Sequence, residues 1–397
     1  MTTQARSLER RILVASAASC AVGFTTIFVQ PILFFEIMSR AGLSESSTGV
    51  VLSVEMLAVS VSSGLCSRLC KNSSFVSVAV AGTVIAALAN AISIVSSSYS
   101  SLLAARFLCG LGEGSALMVA SVAPARFANP DRAYAIINAF TVIIGTLAVY
   151  VAPWVGRVTG GPMAFPTMLA IFTALIPAIV LMPRSERFAG AGVVSANVEA
   201  KTESGSLVAL CSSFFVLITV NSAIFALSAI LGRQAGLSEQ AVNDAIAVAI
   251  MCSLVGSLVA GIIGVRFGRW LPMAVGVTAI TVALYVMCTV HTPKSFRSTA
   301  AIQMMGDYFI FPYILGSAAE LDRTGRGVAA ANAAVPLSYA VGPFLGGVLL
   351  QYFGFGTLAW LAVILNTVAY TVWFWATQNP RRIVQRTASP GSRGIDL

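Results

Sequence analysis

What most limits how this chain can fold is a succession of long apolar stretches that takes up nearly all of its 397 residues. Twelve of them read as spans, at 12–38, 46–69, 74–97, 101–123, 133–155, 163–183, 206–231, 241–265, 270–290, 296–318, 327–351 and 356–377. Each is near the roughly 20 residues a helix needs to cross a hydrocarbon layer. Hydrophobic residues make up 57% of the chain and charged residues 10%, against about 25% charged in soluble domains. No compact soluble fold encloses that much apolar surface, so lipid must be the solvent. Lipid offers backbone groups no partners, which leaves only helices or a closed barrel. The stretches are continuous and do not alternate, which selects helices. The expected fold class is an all-α integral membrane protein with twelve transmembrane helices. The stretch from Leu13 to about Met38, behind Arg6, Arg10 and Arg11, is too long for a signal-peptide core and reads as the first span.

Lys and Arg then set the topology. With the N-terminus inside, 18 of the 24 fall in cytoplasmic segments and five in outer loops, namely Arg40, Arg157, Arg233, Lys294 and Arg297. This is a positive-inside signature with both termini cytoplasmic. A multi-pass protein of a bacterial-type inner (plasma) membrane is expected. The net charge of +9 is a matter of topology and of contact with anionic lipids, and no nucleic-acid partner is expected. The seven cysteines lie almost entirely in apolar segments and lack metal-ligand spacing to His291, the single histidine. They read as small buried hydrophobes, with no metal and no disulfide framework.

The longest polar segment, Arg184 to Ser206, divides the spans six and six. Across it the sequence repeats. AGLSES at 41–46 returns as AGLSEQ at 235–240, an offset of 194. The same offset sets Arg132 on Arg326, Asn138 on Asn332, and Gly112-Glu113 on Gly306-Asp307. Matches in one register indicate two homologous halves in parallel orientation. The organisation expected is a first half at 1–182, a cytoplasmic linker at 183–205, a second half at 206–377 and a basic cytoplasmic tail at 378–397.

Several segments resemble the major facilitator superfamily. Gly342-Pro343-Phe344-Leu345-Gly346-Gly347 in span 11 matches that family's GPxxGG pattern, and Ala152-Pro153-Trp154-Val155-Gly156 in span 5 is a degenerate partner. Gly261 to Arg269 resembles the family's GxxxDRxGRR loop, with Arg266 and Arg269 kept and Val265 in place of the acid. The loop from Gly64 to Lys71 keeps only the glycine and a basic charge. Arg106-x-x-x-Gly110-x-Gly112 resembles its RxxxGxG pattern. The resemblance implies two six-helix halves around a central cavity lined by spans 1, 4, 7 and 10, alternating access, and a monomer. It would set Glu113 and Asp307 facing each other across that cavity. Independently of family, small residues such as Gly342, Gly346 and Gly347 let helices approach closely. Pro343 and Pro153 each remove a backbone hydrogen bond, so hinge and packing readings both stand.

Charges inside spans cost about 2.5–3.5 kcal/mol each and need a reason. Glu113, Asp307 and Glu55 lie mid-span, with Arg106 and Glu36 nearer the outer face. A carboxyl in a low-dielectric interior takes up a proton more readily than one in water, which suits proton coupling. Glu113, Asp307 and Glu55 are therefore the candidate proton-coupling residues. Arg106 is a field-setting partner or anion contact, sharing a cavity wall with Glu113 seven residues along the helix. Each has a bland alternative as a static interhelical pair. Glu36 reads as interfacial. Gln30, Asn221, Tyr308 and Tyr339 are uncharged candidates for substrate binding, and Trp360, Trp373 and Trp375 read as lipid-facing or interfacial anchors. No GxxxxGK[ST] segment, metal-ligand cluster or nucleophile–base pair occurs, so neither ATP-driven pumping, a cofactor nor an enzyme is expected. The function expected is secondary active transport of small organic solutes, as proton-coupled export of amphipathic or cationic compounds. The alternatives are proton-coupled uptake of a small organic acid or metabolite, and a non-transporting receptor on the same scaffold.

Overall fold

The computed structural model describes residues 3–69, 73–123, 130–184, 204–321 and 326–387. Most of the linker, Lys71 and the end of the tail lie outside the described residues. Regular structure among those described is helical, apart from isolated bridge positions at Ser74, Arg266 and Gly268. The helices are α1 (Thr3–Ala41), α2 (Glu45–Leu69), α3 (Phe75–Val95), α4 (Tyr99–Val122), α5 (Pro130–Thr159), α6 (Ala164–Val180), α7 (Ser204–Ala226), α8 (Ser228–Gln234), α9 (Glu239–Ile263), α10 (Trp270–Thr289), α11 (Pro293–Leu321) and α12 (Arg326–Thr387).

The expected spans map onto these with two differences. Span 7 is split into α7 and α8 at Leu227, a buried residue with φ −90° and ψ 0°. No Gly or Pro marks that break. Spans 11 and 12 are joined in α12 across Gly354, whose φ of 76° is open to glycine at little cost. Among the described residues nine stretches are long and apolar enough to cross a membrane. One of them, Ala334–Gln378, holds two spans, while α6 is shorter at 17 residues and α11 is diluted by Lys294, Arg297, Asp307 and Glu320. Twelve crossings result.

The internal repeat has a local cause. In both copies of AGLSE the glycine ends one helix with positive φ, 60° at Gly42 and 81° at Gly236. The serine then starts the next helix. Ser44 Oγ accepts from the Ser47 amide and Ser238 Oγ from the Ala241 amide, each at 3.3 Å. The offset also relates helix contacts: α3 meets α4 at Gly82 and Gly112, and α10 meets α11 at Gly276 and Gly306. Within the first half α4 packs on α2, α3 and α1, and α6 on α3 and α1. Within the second, α7 packs on α12, and α11 on α9 and α10. The halves meet where α2 lies on α12, α5 on α9, and α1 on α8.

Two expectations are corrected here. Glu36 is 3% exposed, and its Oε2 accepts from the amides of Met163 at 2.7 Å and Ala164 at 2.8 Å. It is the N-cap acid of α6, supplied by α1, where four amides lack intrahelical partners and the helix dipole favours a carboxylate. Glu36→Ala should lower the unfolding free energy by about 1–2 kcal/mol, read as a lower midpoint in detergent. Glu36→Gln, whose oxygen still accepts, should lose less. Trp373 is only 2% exposed and stacks on Tyr370 at 5.9 Å, so it is a core residue. Trp360 and Trp375 are exposed as expected.

Candidate functional site

A charged cluster fills the interior of the first half. Arg106 of α4 is 0% exposed, and its Nη1 donates to Glu55 Oε1 of α2 at 2.8 Å. Its Nη2 donates to Asn90 Oδ1 at 3.1 Å and Ser93 Oγ at 2.8 Å, both on α3, while Phe165 of α6 lies 5.0 Å from the guanidinium. One and two turns further along α4 stand Cys109 and Glu113. Cys109 Sγ lies 3.5 Å from Glu113 Oε1 and accepts from Asn90 Nδ2 at 3.4 Å. Thr26 Oγ1 of α1 donates to Glu113 Oε1. The acceptor and thiol atoms of Glu55, Cys109 and Glu113 lie within 4.8 Å of one another. Arg106 and Glu113 therefore do not share an open cavity wall. They are linked through Glu55 and Cys109 beneath α1, and the glycines Gly110 and Gly114 admit α2 closely enough for this, against the backbone of Glu55 and Val59.

The second half places a different chemistry at the repeat-related position. Asp307 of α11 is half-buried, and its Oδ1 accepts from Asn221 Nδ2 of α7 at 2.6 Å. The Asn221 backbone carbonyl takes a bond from Gln303 Nε2 at 3.1 Å. Asn366 Nδ2 reaches Thr281 Oγ1 at 3.1 Å and Asn221 Oδ1 at 3.5 Å. Tyr308 and Tyr339 both stand in the electrostatic field of Asp307. Tyr339 and Ala340 join an apolar cluster whose other members, among them Ala17, Cys20 and Leu117, belong to the first half. Asp307 thus faces the seam between the halves, whereas Glu113 is 0% exposed behind α1.

One end of that seam is sealed. Gly49 sits against the Pro343 carbonyl and Gly347 against the Glu45 carbonyl, so α2 and α12 touch backbone to backbone. Ser46 N donates to Gln351 Oε1 at 3.2 Å, Phe344 N to Ser53 Oγ at 3.1 Å, and Arg157 Nη1 to Gln240 Oε1 at 3.2 Å. Arg233 of α8 lies over the Phe35 ring of α1 at 4.2 Å and pairs with Glu239 at 2.5 Å.

The other expected residues fall as follows. Gln30 is 0% exposed on α1, one turn from Thr26, with both amide atoms unpartnered. Gly342 and Gly346 let α12 approach Thr219 to Ala223 of α7. The chain stays helical through Pro343 and departs from helical angles inside α12 only at Gly354. Pro153 lies buried within α5. Arg266 is exposed, and Arg269 pairs with Glu320 of α11 and lies 3.2 Å from the Gly316 position. The acid missing at Val265 is thus matched by one from α11. The sequence reading missed Thr26, Asn90, Ser93, Cys109, Gln303 and Asn366. The spacing of Asn90 and Ser93 on one face of a largely apolar helix was the available signal.

Known proteins share this architecture. The family model described as Major Facilitator Superfamily matches residues 13–203 and 209–393. A rat protein, the chromaffin granule amine transporter, is 32% identical over 124 residues, which is 29% of this chain and 23% of that protein. The chain's match thus spans less than a quarter of that relative's length. Among solved structures, a bacterial homologue of the human lysosomal transporter Spinster, inward-facing and unoccupied, superposes with a TM-score of 0.70 at 13% identity, covering 94% of this chain and 97% of that one. A variant of the nucleoside transporter NupG gives 0.68 at 11% identity, covering 93% and 98%. The human organic anion transporter MFSD10 gives 0.65 at 13% identity, covering 92% and 99%. With the family model matched on both halves of a twelve-span helical bundle, the chain belongs to the Major Facilitator Superfamily of membrane transporters.

Proposed function

We propose that this transporter is a proton-driven exporter of amphipathic or cationic organic molecules, working as a monomer. Its halves, residues 1–182 and 206–377, rock about a midplane site, with both termini in the cytoplasm of a bacterial-type cell and the sealed end facing out. The observation that carries this reading is the contrast between Asp307 and Arg106. Asp307 is a half-buried carboxylate at the seam, with Asn221, Tyr308 and Tyr339 around it. Arg106 is wholly enclosed and bonded to Glu55, Asn90 and Ser93. An anionic seam favours a cationic guest, and one carboxylate serving substrate and proton in turn couples their opposite movements. The printed name of the rat relative, an amine transporter, agrees with this. Glu55 and Glu113 form a second station for the coupling ion. Uptake of an organic acid needs a cation at the seam, and Arg106 does not supply one in this conformation.

Accumulation of a panel of cationic dyes and antimicrobials in efflux-deficient bacteria tests the proposal. Cells expressing the protein should hold less dye, and an uncoupler or Asp307→Asn should restore the level of empty cells at matched expression. Undiminished export by Asp307→Asn, or an unchanged dye level with the wild-type protein, would remove this reading. Uptake of a radiolabelled organic acid, lost in Arg106→Gln, would put the importer in its place.

A further inference from the structure

At the end of the first half opposite the seal, a cavity of about 260 Å³ lies between the start of α1, the start of α3 and the chain leaving α6. It is lined by Arg11, Val76, Val180, Met182, Pro183 and Arg184, none of which belongs to the seam. Two guanidinium groups therefore share one cavity, and among the described residues no carboxylate pairs with either. Like charges held together without a counterion repel, most of all beside an apolar wall where water screens them least. We propose that this cavity binds the phosphodiester of one anionic phospholipid, held between Arg11 and Arg184. Binding there does not rest on the transport reading.

Height, donor geometry and charge converge on that ligand. Arg11 immediately precedes the apolar run of α1, Val76 is the second residue of α3, and Arg184 follows the end of α6. All three mark the level at which the spans leave the hydrocarbon, which is where a bilayer carries its phosphates. In the orientation proposed above this is the inner leaflet, whose anionic lipids are drawn to basic pockets between helices. Arg11 donates from Nε to the Leu181 carbonyl at 3.2 Å, which ties α1 to the end of α6. The four N–H donors on its two Nη atoms remain for a ligand, and a guanidinium fork matches phosphate oxygens. The same bond answers the carbonyl end of α6, whose partial negative charge opposes an anion, while α3 brings its positive start to the cavity at Val76. The remaining lining, Val76, Val180, Met182 and Pro183, is apolar. It gives nothing to a hydrated free phosphate but suits glycerol and the first methylenes of an acyl chain. Val180 and Leu181, 51% and 43% exposed, continue it to the lipid-facing surface. No acid among the lining residues receives the ammonium of a zwitterionic head group, so a head group charged only at phosphate, as in phosphatidylglycerol, is the better match.

Native mass spectrometry of the purified full chain, delipidated in detergent, tests the site. Phosphatidylglycerol and phosphatidylethanolamine of equal acyl length are added in turn. The expected result is one phosphatidylglycerol retained per chain, in preference to phosphatidylethanolamine. Arg11→Gln and Arg184→Gln should each weaken that binding about fivefold, and the double variant about 25-fold. Arg10→Gln, which removes a neighbouring exposed charge of α1 outside the cavity, should leave it unchanged. Because Arg11→Gln also loses the bond to α6, the unfolding midpoint of the unaltered protein is followed as phosphatidylglycerol is added, and a saturable rise is expected. Equal retention of the two lipids, a midpoint that does not rise, an equal loss in Arg10→Gln, or binding kept in the double variant would overturn the site. Displacement of the lipid by millimolar inorganic phosphate would overturn the lipid as occupant and assign the two arginines to a soluble anion. Dye export and its dependence on Asp307 stand or fall separately from each of these outcomes.

Discussion

Replacing Arg106 with methionine should destabilise the protein by about 3–5 kcal/mol, enough to lower the yield of monodisperse protein sharply. Methionine keeps most of the volume, so the loss is electrostatic. Glu55 would be left as an uncompensated charge with 0% exposure, and Asn90 Oδ1 would lose its donor. Truncating Glu55 in the same protein should recover most of that loss, since removing both members of a buried pair is far cheaper than removing one. The second half already shows this arrangement. At the offset of 194, Glu55 corresponds to Ala249 and Arg106 to Ala300, both buried, so the pair is absent there as a unit. Unfolding midpoints of Arg106→Met and Arg106→Met/Glu55→Leu decide the matter. A double variant no better than the single one would show that the guanidinium's bonds to α3 and its packing on Phe165 matter more than its charge partner.

A single added side chain at the seam should stop the transport cycle without unfolding either half. At Gly347 a Cβ would collide with the Glu45 carbonyl, and at Gly49 with the Pro343 carbonyl, and both obstacles are backbone. Neither can swing aside as a side chain does. Overpacking of this kind costs about 1–3 kcal/mol, which lowers the population of the sealed state roughly five- to 150-fold relative to open states. Gly347→Val and Gly49→Val should therefore export poorly at normal expression and thermal stability. A cysteine placed at Phe35, under Arg233, should label several times faster with a membrane-impermeant maleimide in either background. Unchanged labelling and export would mean that the α2–α12 contact is not needed for closure.

The twelve crossings were legible because apolar length is a one-dimensional property, and so were the halves, because the repeated AGLSE is a helix stop followed by a helix start. What escaped were features set by which helices lie side by side. Glu55 and Arg106 are 51 residues apart, and no spacing rule joins them. Arg106 and Glu113 share a helix and invited a direct relation, yet the link runs through α2 and Cys109. Glu36 looked interfacial because its partners, the first amides of α6, are backbone groups 127 and 128 residues away. The break at Leu227 had no Gly or Pro to announce it, since it arises where α8 turns onto α1. Glu113 and Asp307 were matched correctly by the repeat, but their different exposure depends on what covers them, Thr26 and α1 in one case and the open seam in the other.

The 17 residues of α6 give it a length of about 25 Å, some 5 Å less than the hydrocarbon core of an ordinary bilayer. Its outer stripe, with Ala170, Thr173, Ala174, Pro177 and Val180, is exposed. The longer neighbours α3 and α5 present taller exposed apolar surfaces, with Val84, Leu88 and Val95 on one and Ile136, Ile143 and Val158 on the other, so the annulus of lipid around this protein is not uniform in thickness. Acyl chains beside α6 must shorten or tilt, and relieving that mismatch costs fractions of a kcal/mol per ångström. This sector of the molecule is accordingly the one most sensitive to acyl-chain length, and thinner membranes suit it better than thick ones.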